Sequence, residues 1–185
     1  MSDKEITLVG FENRLHESLV QLCKSEHFLS SDFLSSPDID EKWNEMIYQY
    51  VADASEQVVE YPTVAMAWAS YLGMAIAHGW DEDWEKCKGQ EYASYYGERG
   101  FDDMDDHIVR DILHLPLNGK EAQNIESIVR RCSEVAISMI YHEKAEPQSS
   151  TALLLFSKAV KEMYRIGAAI ELHRLGYKLK AVDFR

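Results

Sequence analysis

Residues 61–80, YPTVAMAWASYLGMAIAHGW, form the longest stretch of this chain without a charged side chain. Small residues recur in it every four positions, at Ala65, Ala69, Gly73 and Ala77. This spacing stacks side chains on one face of a helix, and a row of small side chains lets another helix approach closely. Because the other faces also carry apolar or aromatic residues such as Trp68, the segment predicts a helix over about 62–79 that is buried on all sides.

The same stretch has the length of a membrane span. Only Val64, Leu72 and Ile76 are strong aliphatic residues in it, and its alanines, Pro62 and His78 disfavour insertion into a bilayer. The chain starts MSDKEI, which has no basic segment followed by an apolar one and therefore no secretory signal. We therefore expect a buried helix of a soluble protein and no association with a membrane.

Apolar residues recur at helical spacing along most of the remaining chain, and glycine and proline are too few for many short strands. This pattern predicts further helices over about 4–29, 39–60, 102–115, 118–145 and 150–175. We expect a single all-α domain over 1–185 with five to seven helices in total, one of them the buried central helix. The last two long helices should form an antiparallel hairpin, residues 80–100 should be irregular, and 177–185 should form a short extended tail.

Acidic residues outnumber basic ones, 32 to 19, and the net charge is −13. A nucleic-acid partner is disfavoured because such a protein needs clustered lysine and arginine. The charge is uneven, since residues 81–106 carry ten acidic groups against Lys86, Lys88 and Arg99, a net charge of −7. This segment would attract a basic protein partner by complementary potential.

Tyrosines accompany the acidic residues in this segment. A binding surface for a cationic partner is predicted to include Glu82, Glu85, Tyr92, Tyr95, Tyr96 and Arg99. Tyrosine rings give contact area at low entropic cost, which favours this interpretation. The alternative is that the rings hold an irregular loop against the core. The first functional hypothesis is therefore an interaction protein.

Closely spaced carboxylates support a second hypothesis. The motif D-D-x-x-D at Asp102, Asp103 and Asp106 has a spacing that can chelate Mg²⁺ for phosphate chemistry. A metal-dependent hydrolase of a phosphorylated or nucleotide substrate would use these residues, with Glu82 or Glu85 as base or further ligand. The alternative is that these acids lie at a helix start, where carboxylates cap free N–H groups.

A third pattern mixes histidine with aspartate. Side chains of these two types occur four, four and three residues apart at Asp103, His107, Asp111 and His114. On one helix they would form a single stripe, a plausible transition-metal site if a second element supplied further ligands. The apolar residues on the opposite side of this helix predict the alternative, a stripe that simply faces water.

Three cysteines, Cys23, Cys87 and Cys132, are widely spaced and form no C-x-x-C pair. They indicate neither a disulfide framework nor a zinc knuckle, so a cytoplasmic location is expected. No cofactor is evident beyond a possible divalent metal, and the local motifs of common enzymes are absent from the sequence. Self-association through an apolar face of a long helix is a third functional hypothesis.

Overall fold

Six α-helices and no strand make up the computed structural model over the residues that it describes, 3–30 and 33–178. The helices are α1 (Asp3–Ser25), α2 (Pro37–Ser55), α3 (Pro62–Cys87), α4 (Met104–His107), α5 (Lys120–His142) and α6 (Ser150–Arg174). The all-α prediction is confirmed. The predicted tail lies outside the described residues from residue 179 onward. Within the described part of the chain, no helix combines the length and apolarity needed to cross a membrane.

Helix α3 lies at the centre of the molecule, where it contacts α2, α5 and α6. All residues from Ala65 to Ala77 are buried except Trp68, which is half-buried. The predicted end near residue 79 is wrong, since the helix continues to Cys87 with a break in helical geometry at Asp83. A β-carbon at Gly79 would lie 2.9 Å from the Cβ of Cys87, so this glycine makes room for the turn beyond the break.

The principal neighbour of α6 is α3, which it contacts far more extensively than it contacts α5. A buried hydrogen bond reinforces this contact, since the Ser70 hydroxyl donates to the carbonyl oxygen of Met163 at 2.8 Å. Helix α5 contacts α1 and α3 as well as α6. The predicted hairpin of the last two helices is therefore not confirmed as the organising unit of the fold.

Two buried glutamates of α6, Glu162 and Glu171, join it to neighbouring helices. Glu162 contacts His16 and, one turn later on α6, Arg165. Glu171 contacts His78 and, one turn later, Arg174. The carboxylate of Glu171 lies 3.0 Å from Nδ1 of His78 and 2.7 Å from the Arg174 guanidinium. Such pairing is required because a buried charge without a partner is strongly destabilising.

The predicted single helix over 102–115 is wrong. A 3-10 turn at Phe101–Asp103 precedes the one-turn helix α4, and a π-helical turn at Ile108–Ile112 follows it. The amide of Leu113 donates to the carbonyl oxygen of Ile108 at 2.9 Å, five residues back. Ile108 and Leu113 are both buried in the core. In a regular α-helix, side chains five residues apart lie on different faces, and the wider π-helical turn brings these two to the same side.

Candidate functional site

The tyrosines of the predicted binding surface face the protein instead of solvent. Tyr92 and Tyr95 are buried, and Tyr96 is half-buried. The hydroxyls of Tyr92 and Tyr96 both donate to one carboxylate oxygen of Asp53 on α2, the former at 2.7 Å. The rings therefore hold the loop after α3 against α2, which was the alternative interpretation. A binding surface in this segment contains its carboxylates but not Tyr92 or Tyr95.

The charged members of that predicted surface are exposed and already have partners. Glu85 pairs with Lys88 at 2.7 Å, and Glu82 lies 3.8 Å from His78. Arg99 donates to Asp103 through its guanidinium, with a shortest distance of 2.6 Å. Exposed pairs of this kind contribute little to stability.

The stripe of histidine and aspartate predicted as a metal site separates into three parts. Asp103 turns to Arg99, whose hydrogen bonds hold the pKa of that carboxyl below its ordinary value. His107 and Asp111 remain in contact at 2.9 Å. His114 lies beyond the π-helical turn with a positive φ of 57°, and its ring is 6.3 Å from that of His78. The stripe requires one regular helix, and the π-helical turn removes that regularity.

The D-D-x-x-D motif also crosses a change of backbone geometry. Asp103 occupies the N-cap position of α4 with φ −103° and ψ 12° and makes no side-chain capping hydrogen bond, so Asp102 lies in the preceding 3-10 turn and Asp106 in the helix. Asp102 and Asp106 are both exposed, and Asp106 also lines a cleft. No group of three or more His, Cys, Asp or Glu side chains is positioned to hold a metal ion in the described part of the chain. The predicted metal ligands therefore do not converge.

The cleft lies between α3, α4, the π-helical turn and α5, and has a volume of about 230 Å³. Its charged and polar lining comes from Thr63, Tyr71, Asp105, Asp106, Glu126 and Arg130. Trp68, Val64, Val109 and Leu117 contribute apolar surface. This volume is below the roughly 300 to 1,000 Å³ typical of sites for drug-sized ligands, so the cleft suits a small molecule or a single side chain.

Asp105 is the half-buried carboxyl of the cleft. Burial raises the pKa of Asp105 to about 6, and the neighbouring Asp106 carboxylate adds to the increase, while backbone N–H groups oppose it. The charged form is disfavoured because a carboxylate loses hydration there and meets a second negative charge. A cationic ligand would favour the charged form of Asp105.

Tyr71 lines the same cleft and is only 4% exposed. Its hydroxyl is not among the fully buried polar atoms that lack a hydrogen-bond partner, since the described part of the chain has only Trp43 Nε1 in that class. Burial raises the pKa of the Tyr71 phenol, and the charges of Asp105, Glu126 and Asp106 raise it further, so the hydroxyl lies near the acidic part of the lining. A ligand in the cleft would therefore meet this hydroxyl together with the carboxylates.

Trp68 forms an aromatic wall beside Tyr71. The two rings are nearly perpendicular, with an interplanar angle of 84° and centroids 5.7 Å apart. The indole N–H donates to the carbonyl oxygen of Phe101 at 2.7 Å, which fixes the ring. Aromatic rings next to carboxylates favour cations, because the ring faces carry negative partial charge.

Sequence reasoning missed most of this cleft. Tyr71 and Trp68 fit the apolar helix α3, and Glu126 and Arg130 are ordinary polar positions of α5. Asp105 belongs to the acidic run, but nothing local separates it from its neighbours. No protein-family model, no curated protein and no solved structure matches the chain. Its function is therefore inferred from the residues themselves.

Proposed function

We propose that this chain is a binding protein whose acidic cleft receives a cationic group, a lysine or arginine side chain of a basic partner protein. The observation that carries the proposal is the convergence of Tyr71 with the carboxylates of Asp105, Asp106 and Glu126 on the lining of one cleft. A cation bound there would pair with the carboxylates and orient the phenol oxygen as an acceptor.

The overall charge supports the same class of partner. The net charge is −13, and exposed carboxylates such as Glu82, Glu85 and Asp102 lie in the segment that leads to the cleft. A negative field of this kind steers a basic protein toward the site and speeds its association at low salt. We further propose a cytoplasmic location, on the basis of the three widely spaced cysteines.

The metal-dependent hydrolase is the competing proposal, and Asp106 is the residue it shares with the cleft. It needs Mg²⁺ to bind at Asp106 together with a second carboxylate, such as Glu126. Six-coordinate Mg²⁺ often keeps several water ligands, so two carboxylates are a sufficient protein contribution. The test below therefore includes Mg²⁺ as a separate ligand.

The proposal is tested by titrating the full chain with acetylated and amidated lysine and arginine, with the norleucine derivative as an uncharged control. Chemical-shift changes measured by NMR report the residues affected. We expect weak binding, on the order of millimolar for one side chain, with shifts at Tyr71 and α5. The norleucine derivative should cause none of these shifts.

Matched variants identify the cleft. Asp106→Asn should weaken lysine binding roughly 10-fold or more, since a hydrogen bond to a charged group contributes about 1.5 to 3 kcal/mol. Asp102→Asn removes the same charge outside the cleft and should change affinity only slightly. Equal shifts with lysine and norleucine, or equal affinities in the two variants, would contradict the proposal. Saturable Mg²⁺ binding lost in Asp106→Asn, without lysine binding, would favour the hydrolase.

A further inference from the structure

Two of the three cysteines contact each other across a helix interface. Cys23 lies near the end of α1 and Cys132 in the middle of α5, and their sulfur atoms are 3.7 Å apart. Both side chains are fully buried. A disulfide needs a sulfur separation of about 2.05 Å, so the two sulfurs must approach by roughly 1.7 Å. Small side-chain rotations give movements of this size.

Cys87 has no such neighbour among the described cysteines. It lies beyond the break in α3, where its sulfur contacts the carbonyl oxygen of Ile76 at 3.8 Å. Burial raises the pKa of its thiol. The chain therefore contains one cysteine pair in contact and one isolated cysteine of similar burial, which serves as an internal reference.

A surface groove follows the same interface. It lies between α1 and α5, has a volume of about 390 Å³, and is lined by Ser18, Leu22, Arg131, Glu134, Val135, Ser138 and Met139. Leu22 and Arg131 are the chain neighbours of the paired cysteines. Neither cysteine lines the groove, so an oxidant reaches the two sulfurs only when the interface between α1 and α5 opens.

We infer that Cys23 and Cys132 form a site of reversible oxidation, which hydrogen peroxide converts to a disulfide joining α1 to α5. In the first step one thiolate attacks hydrogen peroxide, the O–O bond breaks, and the leaving hydroxide takes up a proton, so that a sulfenic acid and one water result. In the second step the other thiol attacks the sulfenic sulfur, the S–O bond breaks, and a second water leaves. Two thiols are oxidised, one peroxide is reduced to two waters, and a thiol reductant reverses the bond.

Burial governs the rate of this reaction. The pKa of the Cys132 thiol is raised well above its ordinary value by its hydrogen bond to Cys23 and by burial. The reactive thiolate is therefore scarce at neutral pH. Oxidation of the folded chain should be slow at pH 7 and should accelerate about tenfold per pH unit while the thiolate remains the minor form.

The bond would join two segments 109 residues apart in the sequence. At the same interface, Arg131 of α5 already pairs with Glu26, just after α1, at 2.6 Å. A cross-link over so long a loop restricts the unfolded chain, and we expect the melting temperature to rise by roughly 5 to 15 °C. This inference does not depend on the acidic cleft.

The experiment treats the reduced, folded chain with hydrogen peroxide, removes the peroxide, and alkylates the remaining thiols in denaturant. The expected product has lost about 2 Da by intact mass and carries one alkylated thiol, at Cys87. Proteolysis should yield one cross-linked peptide pair, containing Cys23 and Cys132. Dithiothreitol should restore three alkylatable thiols and the original melting temperature.

Cys87→Ala is the matched control and should retain the loss of about 2 Da, whereas Cys132→Ala should abolish it. Peptide mapping of the wild-type chain decides the question even if a variant fails to fold. Three alkylatable thiols after treatment, oxygen addition without cross-linking, or cross-links that include Cys87 as often as the pair would each overturn the inference.

Discussion

Gly73 on α3 lies against Tyr164 on α6 so closely that a β-carbon at Gly73 would overlap the carbonyl oxygen of Tyr164. The same β-carbon would lie 2.9 Å from the backbone nitrogen of Ala168. The contact is reciprocal, since a β-carbon at Gly167 would overlap the carbonyl oxygen of Ser70. The two central helices therefore meet backbone to backbone, and no side chain fits between them.

Replacing Gly73 by alanine should lower the free energy of unfolding by roughly 2 to 4 kcal/mol, because the new methyl group meets backbone atoms that cannot rotate away. Gly89→Ala is the control, since its nearest neighbour would be a carbonyl oxygen 3.7 Å away. Urea unfolding followed by circular dichroism measures both. Equal midpoints for the two variants would show that α3 and α6 do not pack as described.

Asp53 accepts hydrogen bonds from both Tyr92 and Tyr96, so its removal should release the loop that follows α3. We expect Asp53→Ala to lower stability by about 1 to 3 kcal/mol and to increase amide hydrogen exchange over residues 92–100. Asp102→Ala removes an exposed carboxylate nearby and should do neither. Unchanged exchange in the loop would mean that the tyrosines are held by packing alone.

Glu171 is fully buried, and Arg174 lies between it and the exposed Glu121. Glu171→Ala should destabilise the fold by roughly 3 to 5 kcal/mol, since it leaves the Arg174 guanidinium and His78 without their buried partner. Glu121→Ala removes the exposed carboxylate from the same arginine and should cost about 0 to 1 kcal/mol. Thermal and urea unfolding compare the two. Similar losses would mean that burial does not distinguish these pairs.

His78 links protonation to folding. The hydrogen bond to Glu171 and the charges of Glu171 and Glu82 raise the pKa of His78, while burial and Arg174 oppose the increase. A raised pKa in the folded state stabilises the fold below about pH 6.5. This contribution is lost as pH rises through the folded-state pKa.

The stability advantage of the wild type over His78→Gln should therefore shrink as pH rises from 6 to 8. His142→Gln, at an exposed position, is the control variant. Urea midpoints at several pH values test this. A stability advantage of the wild type that grows with pH would contradict a raised pKa of His78 in the folded state.

Asp105 should make ligand binding depend on pH. With a pKa of about 6, its carboxyl is mostly neutral at pH 5 and charged at pH 7. Lysine affinity should therefore increase over this range and level off above it, with release of a proton on binding. Asp105→Asn should bind more weakly at pH 7 and lose this pH dependence. Calorimetry in buffers of different ionisation enthalpy measures the proton release.

The helical class and the central position of α3 follow from local properties of the chain. The spacing of apolar residues and the small-residue row that contains Ala69 and Gly73 can be read without knowing the partner helix. The predicted start of α3 is correct, since the helix begins at Pro62. The predicted end at Gly79 is wrong, because this glycine serves packing against Cys87 and does not end the helix.

The candidate site depends on tertiary structure. Tyr71, Asp105 and Glu126 come from three different elements, and only the packing of α5 against α3 brings them to one cleft. The burial of the tyrosines also depends on tertiary structure, since the loop that carries Tyr92 packs against Asp53 on α2. Sequence periodicity reports which face of an element is buried, but it carries no information about the element opposite. The amino-acid sequence by itself therefore determined the all-α class and the central helix. Long-range packing decided which polar side chains face one another.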